Sequence, residues 1–160
     1  LMEVKPTHIA LHGRTLRQLY SGRADWEAIG RAVKFVHKHG GIIFGNGDVE
    51  SIADAKEKAA KYNVDGILIG RAAEGNPGVF VGIDPTPRQR LDWMVEHAKV
   101  FESIFKPEVE KEGDYRWFMP MRKHLAWYCK GFEGAVEMRS RLMTTNSLDE
   151  VNKVLEGIEI

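Results

Sequence analysis

The chain reads as an α/β protein in its first half and as an all-helical one in its second. Three short apolar runs, "HIALH" (8–12), "IIFG" (42–45) and "GILIG" (66–70), are separated by amphipathic stretches, whereas from about Pro85 onward only helical periodicities recur. Each run is continuously apolar rather than alternating, the pattern of parallel strands with helices covering both faces.

The elements follow in order. "HIALH" ends at "GR", and after a polar loop Asp25 is placed to cap a helix whose Trp26, Ile29, Val33 and Val36 fall on one face. Gly40 and Gly41 stop that helix before "IIFG" begins the second strand. Ser51 with Asp54 three residues later resembles a capping box, and Ile52, Ala55, Ala59 and Tyr62 recur at helical spacing. "GILIG" is the third strand. Thr86 and Pro87 look like a cap and a first-turn proline, followed by Leu91, Met94, Ala98, Phe101 and Phe105 on one face. A loop is expected around "KPEVEKEGD". Then "YRWFMPMRKHLAWYCKG" reads as helical in its second half, with Pro120 near the start and Gly131 as stop. A helix near 133–144 follows, and Ser147 with Glu150 opens the last one.

Three βα units fall short of a closed barrel. A (β/α)8 barrel takes roughly 250 residues, so three units make less than half of one, and three parallel strands leave two open edges. The chain also opens on Leu1. These points lead us to expect a portion of a larger sheet with upstream strands outside this sequence, able to self-associate through its edges.

Composition narrows the function classes. Apolar residues make up 43% and charged residues 29%. No apolar stretch approaches the roughly 20 residues that cross a bilayer, and nothing at the N-terminus resembles a signal peptide, so a cytoplasmic protein without a membrane partner is expected. The single cysteine, Cys129, excludes a disulfide within the chain and a cysteine-based zinc site; no metal is expected. Lys plus Arg and Asp plus Glu both number 23, so overall charge gives no reason to expect a polyanionic partner. Between Tyr115 and Arg141, however, six basic side chains (Arg116, Arg122, Lys123, Lys130, Arg139, Arg141) face two acidic ones (Glu133, Glu137). Such a stretch is either a solvated helix face or a weak nucleic-acid signal.

The strand ends carry the chemistry. In parallel α/β folds ligands gather where strands end and the following loops begin. At "GNGD", glycines on both sides of Asn46 let backbone amides turn toward a ligand while Asn46 supplies a donor and an acceptor. At "GRAA", Gly70 allows close backbone approach, a short helix follows, and Arg71 offers a fork of donors. Side by side, two such corners form a phosphate cup; the other reading is two tight turns with glycine there for steric reasons alone. His12 and Arg14 share the same rim. His12 is either a structural histidine or, beside a phosphate cup, a donor to a cofactor ring.

Taken in order, "HGRTLRQLYSGRADWEAI", "GNGDVES", "DGILIGRAAEGNP" and "MRKHLAWYCKGF" resemble the C-terminal half of the tRNA-dihydrouridine synthases, flavin-dependent barrels with an appended helical tRNA-binding domain. The glycine corners occur in many phosphate-binding barrels; "HGRT" through "YSG.ADW" joined to "RKH..WY" is much narrower. The resemblance implies the C-terminal portion of a (β/α)8 TIM barrel over 1–84 and a helical-bundle domain over 85–160. It implies that Asn46, Gly47, Asp48, Gly70 and Arg71 hold the phosphate and ribityl part of FMN, and that His12 approaches the pyrimidine side of the isoalloxazine. The reaction implied is reduction of a uridine 5,6 double bond in tRNA: NADPH reduces FMN, the flavin passes hydride to a base taken out of its stack, and a cysteine protonates the other carbon. Arg14, Arg122 and Lys123 become candidate tRNA contacts, with Trp127, Tyr128 and His124 expected mainly in packing. The family's cysteine and its flavin-contacting lysine belong to earlier barrel loops, and Cys129 lies in a helical segment instead. These 160 residues alone are therefore expected to be inactive. Competing readings are another FMN or sugar-phosphate barrel, which leaves the helical tail without a reason, and a non-catalytic RNA-binding module.

Overall fold

The computed structural model describes residues 1–106 and 116–158. It divides into two compact units, one comprising Leu1–Ala73 with Gly78–Ile83, the other Glu74–Pro77 with Asp84–Ile160. The loop expected around "KPEVEKEGD" falls almost wholly outside the described residues.

The first unit is α/β. Strands β1 (Ile9–His12), β2 (Ile43–Asn46) and β3 (Gly66–Leu68) form a parallel sheet in the order β1-β2-β3, joined by helices α1 (Trp26–Lys38) and α2 (Ile52–Tyr62). Both helices begin where their caps predict. Asp25 accepts from Ala28 N–H at 2.8 Å and Ser51 Oγ from Asp54 N–H at 3.1 Å, each satisfying an N-terminal amide that has no partner in its own helix. The Asp54 carboxylate reaches back to the Glu50 amide, one residue ahead of the cap, rather than closing on Ser51 itself. The core is the apolar stripe of α1 (Trp26, Ile29, Val33, Val36) packed with Ile43, Val49, Ala55 and Val64.

Coverage of the sheet departs from the expectation. Ile9, Leu11, Ile43, Gly45 and Ile67 alternate toward one face, where the α1 and α2 core packs. Ala10, His12, Phe44, Asn46 and Leu68 alternate to the other, where Ala10, His12 and Leu68 are exposed and Phe44 and Asn46 half-buried. A run such as "IIF" is apolar on both faces, yet within this unit both connecting helices cover one face. In consequence His12, Asn46 and Leu68 stand in register as a row across the end of the sheet. β1 and β3 each pair on one side only among the described residues.

The second unit contains α3 (Pro87–Phe105), α4 (Met119–Tyr128), α5 (Ala135–Leu142) and α6 (Leu148–Leu155). Thr86 and Gln89 make a reciprocal capping box at α3 with Pro87 in the first turn, and Ser147 Oγ accepts from Glu150 N–H at α6. Its core joins Leu91, Met94 and Ala98 of α3 to Met121, Leu125 and Tyr128 of α4, with Phe118, Cys129, Met138, Leu142, Val151 and Val154. Phe105, placed on the α3 apolar face by its spacing, remains 42% exposed. No helix among the described residues is long and apolar enough to cross a membrane.

Cys129 is a core residue. It has no exposed surface, its Sγ–H points at the Leu125 carbonyl at 3.5 Å, and burial pushes its thiol up to about 11. Such a thiol carries almost no thiolate at neutral pH. A thiol reagent at pH 8 is expected to leave the folded protein unmodified and to react once denaturant opens the helices; rapid modification of the native protein would contradict this packing.

Candidate functional site

A cleft of about 1010 Å³ opens at the C-terminal end of the three strands, and His12, Tyr20, Asn46, Gly47, Asp48 and Arg71 are among the residues that line it. The parallel register puts the loops after β2 and β3 next to each other. A direct bond joins them: Arg71 Nη2 donates to Asp48 Oδ1 at 2.6 Å. After β3 the short helix expected there is a single 3-10 turn, Arg71–Ala73.

The corner after β2 is held from several sides. Gly13 N–H donates to the Asn46 carbonyl at 2.9 Å, the Trp26 indole N–H donates to the Gly47 carbonyl at 2.8 Å, and Ala24 N–H donates to Asp48 Oδ2 at 2.8 Å. Gly47 sits at φ 124°, a conformation open to glycine and strained for any L side chain. The Asn46 side-chain amide lines the cleft and makes no protein hydrogen bond among the described residues. Its donor and acceptor are therefore available to a ligand.

His12 is oriented by its own loop. Its Nδ1 accepts the Arg14 backbone N–H at 2.9 Å, so the neutral ring carries its proton on Nε2. The exposed imidazole thus presents a donor, not an acceptor, on the open face of the sheet.

Two side chains make bonds that the sequence did not signal. Arg14, a candidate nucleic-acid contact, has a side chain 6% exposed that forks onto both Asp48 oxygens at 2.7 Å, with further bonds to the Ser21 and Gly22 carbonyls. Asp48, expected to touch phosphate and ribityl, has its carboxylate filled by Arg14, Arg71 and Ala24 N–H. Burial alone would raise Asp48; the bonds from Arg14 and Ala24 and the charges of Arg14 and Arg71 outweigh it and hold the carboxyl below its ordinary value. Spacing gave no signal of this pairing, since Arg14 and Asp48 are 34 positions apart. Trp26 likewise did not stand out as a support for the corner; its core position in α1 was legible, its indole bond was not.

The second unit carries the basic residues. Arg122 donates through Nε to the Thr145 carbonyl at 2.8 Å and through Nη2 to Asn146 Oδ1 at 2.7 Å, tying α4 to the α5–α6 turn. Lys123 is exposed, its Nζ 4.9 Å from the Trp127 ring centroid, a cation-π geometry. His124, Trp127 and Tyr128 pack as expected. His97 Nδ1 lies 3.2 Å from the Tyr128 hydroxyl, and the His97 and His124 rings meet edge-on at 5.1 Å.

This histidine pair gives a pH dependence of known sign. Burial lowers both pKa values, helped at His97 by the His124 charge and at His124 by Lys123, while Glu74 acts in the opposite sense on His124. Groups whose folded pKa is depressed contribute stability above the unfolded value, about 6.5 for histidine, and lose it as pH falls through that range. The melting temperature of the helical unit is expected to fall between pH 7 and 5, and His97→Gln to flatten that slope; an unchanged slope in the variant would contradict the assignment. Asp48 adds a second loss only below about pH 4, where ordinary carboxylates protonate.

Fold and site together define a chain with an α/β unit, whose cleft opens at the C-terminal end of a parallel sheet, and a helical unit. The family model described as dihydrouridine synthase (Dus) matches residues 6–159, and the chain belongs to that family. It is 32% identical over 155 residues to a protein of Mycobacterium leprae named probable tRNA-dihydrouridine synthase, across 94% of this chain and 40% of that protein. It is 36% identical over 150 residues to a protein of the same name from Rickettsia conorii, across 86% of this chain and 42% of that one. Against tRNA-dihydrouridine synthase B of Pseudomonas putida the identity is 32% over 153 residues, covering 89% and 42%. The chain spans about two fifths of the length of these curated relatives.

Proposed function

We propose that the chain is the part of a tRNA-dihydrouridine synthase that grips the phosphate end of FMN and contributes to tRNA binding, in a cytoplasmic enzyme that reduces a uridine 5,6 double bond with NADPH as electron donor. In this reading residues 1–84 are the C-terminal portion of a (β/α)8 barrel, 85–160 are a helical tRNA-binding domain, and the open edges of β1 and β3 are where the isolated chain self-associates. The observation that carries the reading is the row of His12 and Asn46 beside Arg71, in a chain whose family is established.

The residues fit the group. Arg71 is 55% exposed and supplies N–H donors to a phosphate. Asn46 offers an amide without a protein hydrogen bond among the described residues, at the same end of the sheet. Gly70 has nothing within 4 Å of where a Cβ would stand, so a ligand can approach its backbone closely. FMN, when bound, supplies hydride transfer at its ring. His12 would help hold that ring by donating from Nε2, its tautomer set by Arg14 N–H. Cys129 is no proton donor here, because its thiol is buried and raised to about 11.

For tRNA, Lys123 is the exposed cation, whereas Arg122 contributes through the α5–α6 turn that it anchors. Two measurements test the function. The purified intact protein is expected to carry a yellow chromophore that denaturation releases as FMN, and to form dihydrouridine in tRNA when given NADPH; a colourless, inactive protein would sink the proposal. In a salt series, Lys123→Ala is expected to weaken tRNA binding by about threefold to tenfold and to reduce the salt slope by roughly one. Binding indifferent to both would remove the role given to Lys123.

A further inference from the structure

We propose that Asp48 is a positioning residue for anion recognition: it holds the Arg71 guanidinium in place before the ligand arrives and does not itself touch the ligand. This rests on the reading of the cleft as the FMN phosphate site. Asp48 Oδ1 accepts from Arg14 Nη1 at 2.7 Å and Arg71 Nη2 at 2.6 Å, and Oδ2 accepts from Arg14 Nη2 at 2.7 Å and Ala24 N at 2.8 Å. A carboxylate has about four lone-pair sites. All are occupied, so a ligand donor finds no acceptor there, and a phosphate would meet only like charge.

The two arginines differ in what they leave open. Arg14 is closed off: Nε donates to the Ser21 carbonyl, Nη2 donates to that of Gly22 as well as to Asp48, and the side chain is 6% exposed. Arg71 spends only Nη2 on Asp48 among the described residues, is 55% exposed, and places Cζ 5.6 Å from the Tyr20 ring centroid. Two guanidinium groups against one carboxylate leave one net positive charge, and Arg71 is the member that presents it to the cleft. Fixing one edge by Asp48 and one face by Tyr20 removes rotamer freedom that phosphate binding would otherwise have to remove. Arg14 serves as the counterweight: its bidentate grip keeps the carboxylate from turning toward Arg71 alone.

The test compares FMN with riboflavin, which lacks the phosphate, by flavin fluorescence titration of the intact apoprotein. Wild type is expected to prefer FMN. Asp48→Asn is expected to lose about tenfold or more in FMN affinity with riboflavin affinity nearly unchanged, Asp48→Glu to restore most of the preference, and the double variant with Arg71→Ala to bind FMN no worse than Arg71→Ala alone. Equal losses for FMN and riboflavin in Asp48→Asn, or additive losses in the double variant, would overturn the positioning role while leaving the phosphate site standing. A wild type without preference for FMN would overturn both. Side-chain 15N relaxation of Arg71 in the unmutated apoprotein gives a reading that needs no variant to fold: order comparable to Arg14 is expected, and a freely rotating guanidinium overturns the proposal.

Discussion

Gly75→Ala is expected to destabilise the helical unit by about 3–5 kcal/mol, the range reached when a side chain is forced into filled space at a strained backbone position. Gly75 adopts φ 66°, and a Cβ there would overlap the Trp127 carbonyl group and stand 2.9 Å from Tyr128 N. Those atoms close the end of α4 and cannot rotate aside as a side chain would. The strand of chain bearing Gly75 is also pinned, since Arg90 Nη1 donates to the Gly75 carbonyl at 3.0 Å and Lys130 Nζ to that of Glu74 at 2.9 Å. Relief by sliding the backbone would break both bonds. A thermal melt should show the transition lowered by at least about 10 °C; a shift within the error of the melt would contradict the close approach of these segments.

Gly47→Ala is expected to lose both stability, by about 2–4 kcal/mol, and the cleft itself. At φ 124° a Cβ would stand 2.6 Å from Ala24 Cβ and 3.2 Å from His12 Cε1. Displacing Ala24 breaks its N–H bond to Asp48, and moving the corner breaks the Trp26 bond to the Gly47 carbonyl. The FMN binding proposed above should be lost when the variant is passed through gel filtration. Gly70→Ala is the informative contrast, because nothing lies within 4 Å of its Cβ position. That variant should melt within about 0.5 kcal/mol of wild type, as surface substitutions do, yet bind FMN more weakly if the ligand approaches the Gly70 backbone. A Gly47→Ala protein that keeps its melting temperature and binds FMN as wild type does would contradict the packing of this corner.

Local signals in the sequence located most of the elements. Asp25, Ser51, Thr86 and Ser147 each cap the helix that follows them, because a cap needs only a short polar side chain and the amide three residues on. The stripe of Trp26, Ile29, Val33 and Val36 is buried as its spacing predicts. At the site, the corner residues could be named from the glycines around Asn46 and from Gly70, and the cleft gathers them. What sequence could not express is which charges pair across distance. Arg14 and Arg71 look alike as exposed cations after a strand, yet one is locked behind Asp48 and the other is half open. Arg122 and Lys123 are adjacent in the chain, but the helix turns one onto the α5–α6 turn and the other to solvent. The same limit applies to the sheet, where an apolar run cannot say which face is covered inside one unit and which is left bare.

The most direct test of the central claim is a crystal structure of the intact protein grown with FMN. The account predicts the phosphate within hydrogen-bonding distance, about 3 Å, of Arg71 and the Asn46 corner, with His12 Nε2 directed at the ring. A flavin bound elsewhere, or protein atoms filling the space between Asn46 and Arg71, would contradict it.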